Sequence, residues 1–251
     1  MNPYTFTYVI GYRHSMDRIS NLRRTLDWVN GFNGVEVLLI EQDEHSKIKN
    51  LNLKAKHIFL KSKAAYNRSW AFNVATKYAM SNVIVFGDSD LVMNPDQFIE
   101  GLKALQNFEM VSPYKSVVDL TPQENAFDMG NILQINRPGR GETDNQKINI
   151  AGGIAMFRKD SIMRIGGWNQ SFIGWGGEDD YQAIKIKNFL SWTELEYRCF
   201  HLYHEKVKPD MKYYQRNLQI LNNAISMSVE DLSKQINNSL KTMGMKNLYD
   251  R

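Results

Sequence analysis

The chain has 251 residues, 43% of them hydrophobic and 12% aromatic, which suits one sizeable core and excludes a disordered or fibrous polypeptide. Its formal charge of +4 permits an anionic ligand such as a nucleotide, but does not make nucleic acid an expected partner. A single cysteine, Cys199, excludes an intrachain disulfide and fits a reducing compartment. Residues 1–13 contain no signal-peptide core. No stretch approaches the ~20 apolar residues that a membrane span needs. A soluble, cytoplasmic protein is expected.

Residues 6–11 read as a first strand. Tyr12-Arg13-His14-Ser15 follow, and Ser15 is expected to cap a helix whose apolar positions Ile19, Leu22, Leu26 and Val29 recur at helical spacing. Gly31 and Gly34 break that pattern before a second strand over 35–40. A strand-helix-strand opening gives parallel strands with a right-handed crossover. Ligands of such sheets sit at the carboxyl ends of the strands, where Arg13 and Asp43 both fall. Asp43 also reads as a turn-stabilising aspartate. A short third strand over 57–60 precedes Ala65-Tyr66-Asn67-Arg68-Ser69-Trp70-Ala71-Phe72-Asn73, which leads into a helix to about residue 80.

Residues 83–86 form a continuous apolar run, as in a buried central strand, and deliver Gly87-Asp88-Ser89-Asp90. Carboxylates at i and i+2 of an extended segment point to one face. At that end of the sheet they suit a divalent cation shared with a nucleotide diphosphate. Asn94-Pro95-Asp96 opens a helix to about residue 106, and residues 110–112 read as a strand. From 119 to 149 the chain is polar and rich in Gly, Asn and Pro, which marks an acceptor loop, a lid or a variable insertion.

The stretch Gly174-Trp175-Gly176-Gly177-Glu178-Asp179-Asp180-Tyr181 places a large aromatic on a glycine hinge, ahead of three carboxylates at the start of a helix over 179–187. A flap that closes beside a general base has this composition, as does a glycine-rich turn before an acidic helix start. Residues 192–200 read as a strand that delivers His201-Leu202-Tyr203-His204. Histidines three apart face opposite ways in a flat strand, so both reach one metal only if the chain turns there. Ser228 is expected to cap a last helix with Val229, Leu232, Ile236 and Leu240 on one side, packed on the domain or on a second copy.

Three blocks in order, Ala151-Gly152-Gly153-Ile154-Ala155-Met156-Phe157, Ile165-Gly166-Gly167-Trp168 and Gly174-Trp175-Gly176-Gly177-Glu178-Asp179-Asp180, resemble the C-terminal signature of the β-1,4-galactosyltransferases. Related bacterial family 2 domains and polypeptide N-acetylgalactosaminyltransferases carry similar runs. Residues 65–73 resemble the Phe-Asn-Arg-Ala block of that family, and residues 88–92 its Asp-x-Asp block. Cys199, His201, His204 and Gln215-Arg216 follow its last block. The resemblance spans residues 4–217, interrupted at 119–149.

The resemblance implies an α/β GT-A (Rossmann-like) fold, with a mostly parallel central sheet flanked by helices. Residues 1–225 would form a single domain and 226–251 a helical tail, with homo-oligomerisation through that tail as an option. The implied activity is metal-dependent, inverting transfer from a UDP-sugar (galactose, N-acetylhexosamine or similar) to an acceptor hydroxyl, on a glycan. By resemblance Asp179 is the base, and Asp90, His201 and His204 hold Mn²⁺ or Mg²⁺. Arg13, Tyr66, Arg68, Asp88, Gly153, Trp175, Gly176 and Glu178 serve the donor, and Asp180 and Arg216 the acceptor. An aromatic and a guanidinium at Tyr66 and Arg68 suit a uridine and its phosphates. The vertebrate enzymes carry a methionine at the position of His201. An imidazole in place of a thioether reopens the choice of metal, with manganese the default and magnesium easier to support. Alternatives are a retaining N-acetylgalactosaminyltransferase-like enzyme, an enzyme glycosylating modified nucleic-acid bases, and a non-catalytic binder of the same fold. An iron site of two histidines and one carboxylate is a further option.

Overall fold

The structure, a computed structural model, describes residues 5–143, 147–206 and 208–246. Its centre is built from strands buried on both faces. β1 (Phe6–Tyr12) is buried at six of its seven positions, and successive side chains feed two different cores. Tyr8 and Ile10 join Leu22, Leu26 and Val29 of α1 (Ile19–Val29) on one face. Val9 joins Ala71, Phe72 and Ala75 of α2 (Arg68–Tyr78) on the other. Each large apolar side chain so buried contributes roughly 1.5–3 kcal/mol.

The remaining strands are β2 (Val35–Asp43), β3 (Lys56–Lys61), β4 (Val83–Gly87), β5 (Leu91–Met93), β6 (Met110–Ser112), β7 (Ser116–Asp119), β8 (Ala155–Arg158), β9 (Trp192–Glu194) and β10 (Arg198–His201). The helices are completed by α3 (Pro95–Ala104), α4 (Met129–Leu133), α5 (Lys159–Arg164), α6 (Glu178–Phe189), α7 (Met211–Ile225) and α8 (Val229–Thr242). The large sheet has seven strands in the order β3-β2-β1-β4-β8-β6-β9. β3, β2, β1 and β4 run parallel, as do β6 and β9, and only β8 opposes its neighbours. This is the mostly parallel α/β sheet expected. A second sheet, β5-β10-β7, sits beside it and carries His201 at the end of β10. Among the described residues no helix is long and apolar enough to cross a membrane.

Several local expectations need correction. Ser15 does not cap α1; its hydroxyl bonds the Asp17 carboxylate, residues 15–18 make a turn, and Arg18 holds the cap position without a side-chain bond. The 192–200 segment is two strands in different sheets, because the chain breaks its extended run between β9 and β10. The 119–149 segment is not a free loop. It holds a 3-10 turn and α4, then returns so that Arg140 pairs with Val117 through backbone bonds of 2.8 and 3.0 Å. Residues 144–146 of it lie outside the described residues. Ser228 does cap α8, accepting from Asp231 N at 3.1 Å, and Leu232 and Ile236 are buried with Phe172, Tyr181 and Ala224.

Candidate active site

The carboxyl ends of β1, β2 and β4 open on one side of the sheet, and three short segments converge there. The first is the turn before α2. Gln42, at the end of β2, accepts from Asn67 N at 2.7 Å and donates to Ala65 O at 3.2 Å. Arg13, after β1, donates to Ala64 O at 2.7 Å. Asn67 caps α2 by accepting from Trp70 N. Arg68 is therefore delivered at the first position of the helix, stacked over Phe72 and Trp168 at 4.7 and 5.5 Å. Asp43 accepts from Glu44 N at 2.7 Å and stabilises its own turn, the plainer of its two readings.

The second segment is the turn from β4 to β5. The sequence suggests that Asp88 and Asp90 share one face of an extended run. Instead the chain turns at 89–90, braced by Thr25 Oγ1 donating to Ser89 O at 3.0 Å, and the two carboxylates take different partners. Asp88 pairs with Arg68 Nη2 at 2.9 Å. Asp90 is buried and faces His201 Nε2 at 3.8 Å and His204 Nε2 at 3.4 Å. Burial pushes the Asp90 carboxyl up and Asp88 adds to this, while the two histidines oppose it.

Asp90, His201 and His204 each offer a ligand atom, all within 4.8 Å of one another. The two histidines converge because β10 ends at His201 and the chain then leaves the strand, the turn that a shared site requires. One carboxylate with two imidazoles is a sound donor set for a divalent first-row metal. His201 Nδ1 lies 2.8 Å from Asp119 Oδ1. Burial lowers the His201 pKa, but the Asp119 hydrogen bond and Asp90 outweigh it, and the net direction is up. Asp119 itself is held below the usual carboxylate range by His201 first, and then by Arg140.

The third segment is the glycine loop before α6. Gly174, Gly176 and Gly177 have φ of +73°, +102° and +87°, the left-handed region that only glycine enters freely. Gly174 N donates to Tyr66 O at 2.8 Å, tying this loop to the turn before α2. Trp175 is 65% exposed and stacks on Tyr214 of α7 at 5.7 Å and 24°. Gly177 then starts α6 with Glu178, Asp179 and Asp180 in its first turn.

Arg68 gathers the carboxylates. Its Nη1 donates to Asp179 Oδ1 at 2.6 Å and lies 3.8 Å from Glu178 Oε1. Burial raises the Asp179 pKa to about 7 against the pull of Arg68, with Glu178 and Asp88 adding to the rise. Glu178 moves up for the same first reason, with Arg68 again opposing. Buried polar atoms here lack hydrogen-bond partners among the described residues: Tyr66 Oη, Arg68 Nε and Glu178 Oε2. Such a concentration is expected where a polar ligand or water is received.

The other expected site residues are held by local contacts. Gly153, at φ +70°, folds around the Tyr114 hydroxyl, which donates to Gly152 O at 2.7 Å and accepts from Ile154 N at 3.1 Å. Gly152 backs the Asp179 carboxylate, and a Cβ there would stand 3.3 Å from Oδ2. Asp180 accepts from Asn149 Nδ2 at 2.8 Å, and Arg216 Nη1 donates to Ser171 O at 2.7 Å. Sequence reasoning missed Asp119, Arg140, Tyr114, Asn149 and Arg18, whose Nη2 lies 3.3 Å from His204 Nδ1. The strand that carries Asp119 is only four residues long, too short for a periodicity signal.

Residues 142–205 match the family described as the N-terminal domain of galactosyltransferase. The catalytic domain of Drosophila β1,4-galactosyltransferase 7, in complex with xylobiose, is similar with a TM-score of 0.56 and 15% identity, over 86% of this chain and 79% of that one. GalNAc-T7 with UDP, GalNAc and Mn²⁺ gives a TM-score of 0.60 and 15% identity, over 99% of this chain and 57% of that one. The fold is that of the GT-A glycosyltransferases. A mannosyltransferase from Pyrobaculum calidifontis in complex with GDP-Man and Mn²⁺ gives 0.51 and 13%, over 98% of this chain and 76% of that one. No curated protein matches the sequence significantly. The family match and the GT-A neighbours together support a glycosyltransferase enzyme.

Proposed function

We propose that this GT-A chain is an inverting glycosyltransferase that moves a sugar from a UDP-sugar to an acceptor hydroxyl, with a glycan as acceptor. The observation that carries this reading is Asp179, a carboxylate bonded by Arg68 at 2.6 Å with a pKa raised to about 7, set among buried polar atoms that lack partners and following a glycine-hinged tryptophan. A group of that pKa is ionised often enough at neutral pH to accept a proton and basic enough to hold it.

In this reading Asp179 takes the acceptor hydroxyl proton as the oxygen attacks the anomeric carbon. The bond from that carbon to the diphosphate breaks on the opposite face, so configuration inverts. Arg68, Asp88, Tyr66, Arg13, Gly153 and Glu178 hold the donor, and Asp180 and Arg216 face the acceptor. Trp175 and Gly176 close over the bound sugar and keep water from competing. Asp90, His201 and His204 would hold Mn²⁺, which when bound neutralises charge on the diphosphate leaving group. Two imidazoles favour manganese over magnesium, whose preference is for oxygen ligands. Buried, unpaired Cys199 agrees with a cytoplasmic, reducing setting.

GalNAc-T7, with UDP and GalNAc, and the mannosyltransferase, with GDP-Man, set the range of donors to test. A panel of UDP- and GDP-sugars, with Mn²⁺, Mg²⁺ or neither, is scored for thermal shift and slow donor hydrolysis. One UDP-sugar that stabilises the protein and is hydrolysed only with divalent metal is the expected result. Stabilisation with no turnover on any donor or acceptor would instead make the chain a binder. NMR of the product then reads the anomeric configuration, and retention would overturn the role given to Asp179.

A further inference from the structure

The polar segment 119–149 has no part in the reaction above, yet Asp119, the last residue of β7 and the first of that segment, reaches the candidate cation site. His201 and Asp119 are register partners in neighbouring parallel strands, and their side chains meet at 2.8 Å through Nδ1 and Oδ1. An ionised carboxylate only accepts hydrogen bonds, so the proton of a neutral His201 ring belongs on Nδ1. That leaves the lone pair of Nε2 on the side that faces Asp90, 3.8 Å away. Asp119 is itself gripped. Arg140 donates from Nε to Oδ2 at 2.6 Å and from Nη2 to Oδ1 at 3.0 Å. Arg137 donates to Asp119 O at 2.7 Å and to Glu124 Oε2 at 2.8 Å. The backbone of Arg140 is paired with Val117, two residues before Asp119, so the clamp is anchored on the strand it serves.

We propose that Asp119, clamped by Arg140, is the positioning residue for His201, fixing its tautomer and ring plane so that Nε2 is presented to a divalent cation. This rests on the reading of Asp90, His201 and His204 as the cation site. A thioether at this position would need no such partner, because it has neither a tautomer nor an N–H to satisfy. An imidazole has two tautomers and a ring that turns, so its worth as a ligand depends on what holds its far nitrogen. His204 has a backbone contact for that purpose, its Nδ1 lying 2.9 Å from Glu205 O. For His201 the carboxylate does the holding, and its negative charge also strengthens Nε2 as a donor. The segment from Asp119 to Arg140 thereby gains a function that needs no contact with the acceptor.

Two measurements on the full chain test this. In metal-free protein, ¹⁵N NMR of labelled histidines, at a pH where the rings are neutral and with His201 assigned through His201→Gln, is expected to show His201 held with its proton on Nδ1. Asp119→Ala is expected to release that tautomer. In Mn²⁺ titrations with saturating UDP, followed by the EPR signal of free Mn²⁺, Asp119→Ala is expected to weaken binding roughly 10–100-fold. In a His201→Met background the same change is expected to alter Mn²⁺ affinity little. Arg140→Gln keeps the carboxylate but loosens it, and serves if Asp119→Ala does not fold; a smaller loss with the same change of tautomer is expected. An unchanged Mn²⁺ affinity in Asp119→Ala overturns the positioning role and leaves the cation site standing. So does an equal loss in the His201→Met background, which would mark Asp119 as plain scaffold. Wild-type protein that binds no Mn²⁺ with UDP present brings down the cation site and this inference together.

Discussion

Arg68 Nη1 lies 2.6 Å from Asp179 Oδ1, so the carboxylate assigned as general base is held in an ion pair. Asp88 shares the same guanidinium at 2.9 Å. A donor whose phosphates draw on Arg68 would loosen its hold on Asp179, and donor binding would then help to ready the base. Asp179→Asn is expected to keep donor and Mn²⁺ binding while losing transfer by roughly 10²–10⁴-fold, the usual worth of a positioned base. Calorimetric donor affinity beside a transfer assay checks this. Near-normal transfer with an unchanged anomeric outcome would pass the role to Glu178 or Asp180.

The pH profile follows from the same pair. Burial raises Asp179 to about 7, and a base works only when ionised. For the free enzyme kcat/KM is therefore expected to fall about tenfold per pH unit below that value and to level off above it. Arg68 opposes the rise, so Arg68→Gln is expected to move the inflection to higher pH, besides weakening the donor. A profile that is flat from pH 5 to about 8 would remove Asp179 from the rate expression.

Much of this site was legible in the sequence, and its limits have physical causes. The buried runs of β1, β2 and β4 carry an apolar signal that sequence reports well, and the glycines of 174–177 occupy the positive φ they suggest. The shared face expected of Asp88 and Asp90 is absent, because the rule for extended chains fails once the backbone turns at 89–90. Asp119 was hidden for another reason. Its importance lies in pairing with a strand 82 positions away, and a four-residue strand announces neither its existence nor its register.

The metal assignment is separable from the base. Asp90→Ala is expected to abolish divalent-dependent donor binding, since Asp90 is the only carboxylate of the three-residue cluster. Full nucleotide-sugar binding with unchanged metal dependence would count against that assignment. His201→Met is expected to keep activity and to shift preference away from magnesium, because a soft thioether suits a hard cation worse than imidazole does. Activity against Mn²⁺ and Mg²⁺ concentration reads it directly.

Gly153 is a site where backbone shape and function meet. It sits at φ +70°, and a Cβ there would overlap the Tyr114 hydroxyl and crowd Leu91. Gly153→Ala is expected to cost about 1–3 kcal/mol of stability from the left-handed conformation alone. Pairing it with Tyr114→Phe relieves the overlap but forfeits the bonds to Gly152 O and Ile154 N. Urea denaturation of both variants checks this. If Gly153→Ala is as stable as wild type, the loop before β8 has room that the structure does not show.

The stack of Trp175 on Tyr214 makes the flap testable from outside the Arg68–Asp179 cluster. The two rings lie 5.7 Å apart and 24° from parallel, with Trp175 mostly exposed. Such a pair is worth about 0.5–1.5 kcal/mol, and solvent exposure puts this one near the lower end. Trp175→Ala is expected to weaken donor binding and to lower the ratio of transfer to hydrolysis, since the closed flap both contacts the sugar and excludes water. Tyr214→Ala should act in the opposite sense on affinity. If closure takes Trp175 off α7, the stack stabilises only the open flap, and its loss is expected to tighten donor binding roughly 2–5-fold. Donor titrations of the two variants separate these effects. Weaker binding in both would mean that Trp175 stays on Tyr214 when the donor is bound, so that the glycines at 174, 176 and 177 carry the pair over the sugar as one unit.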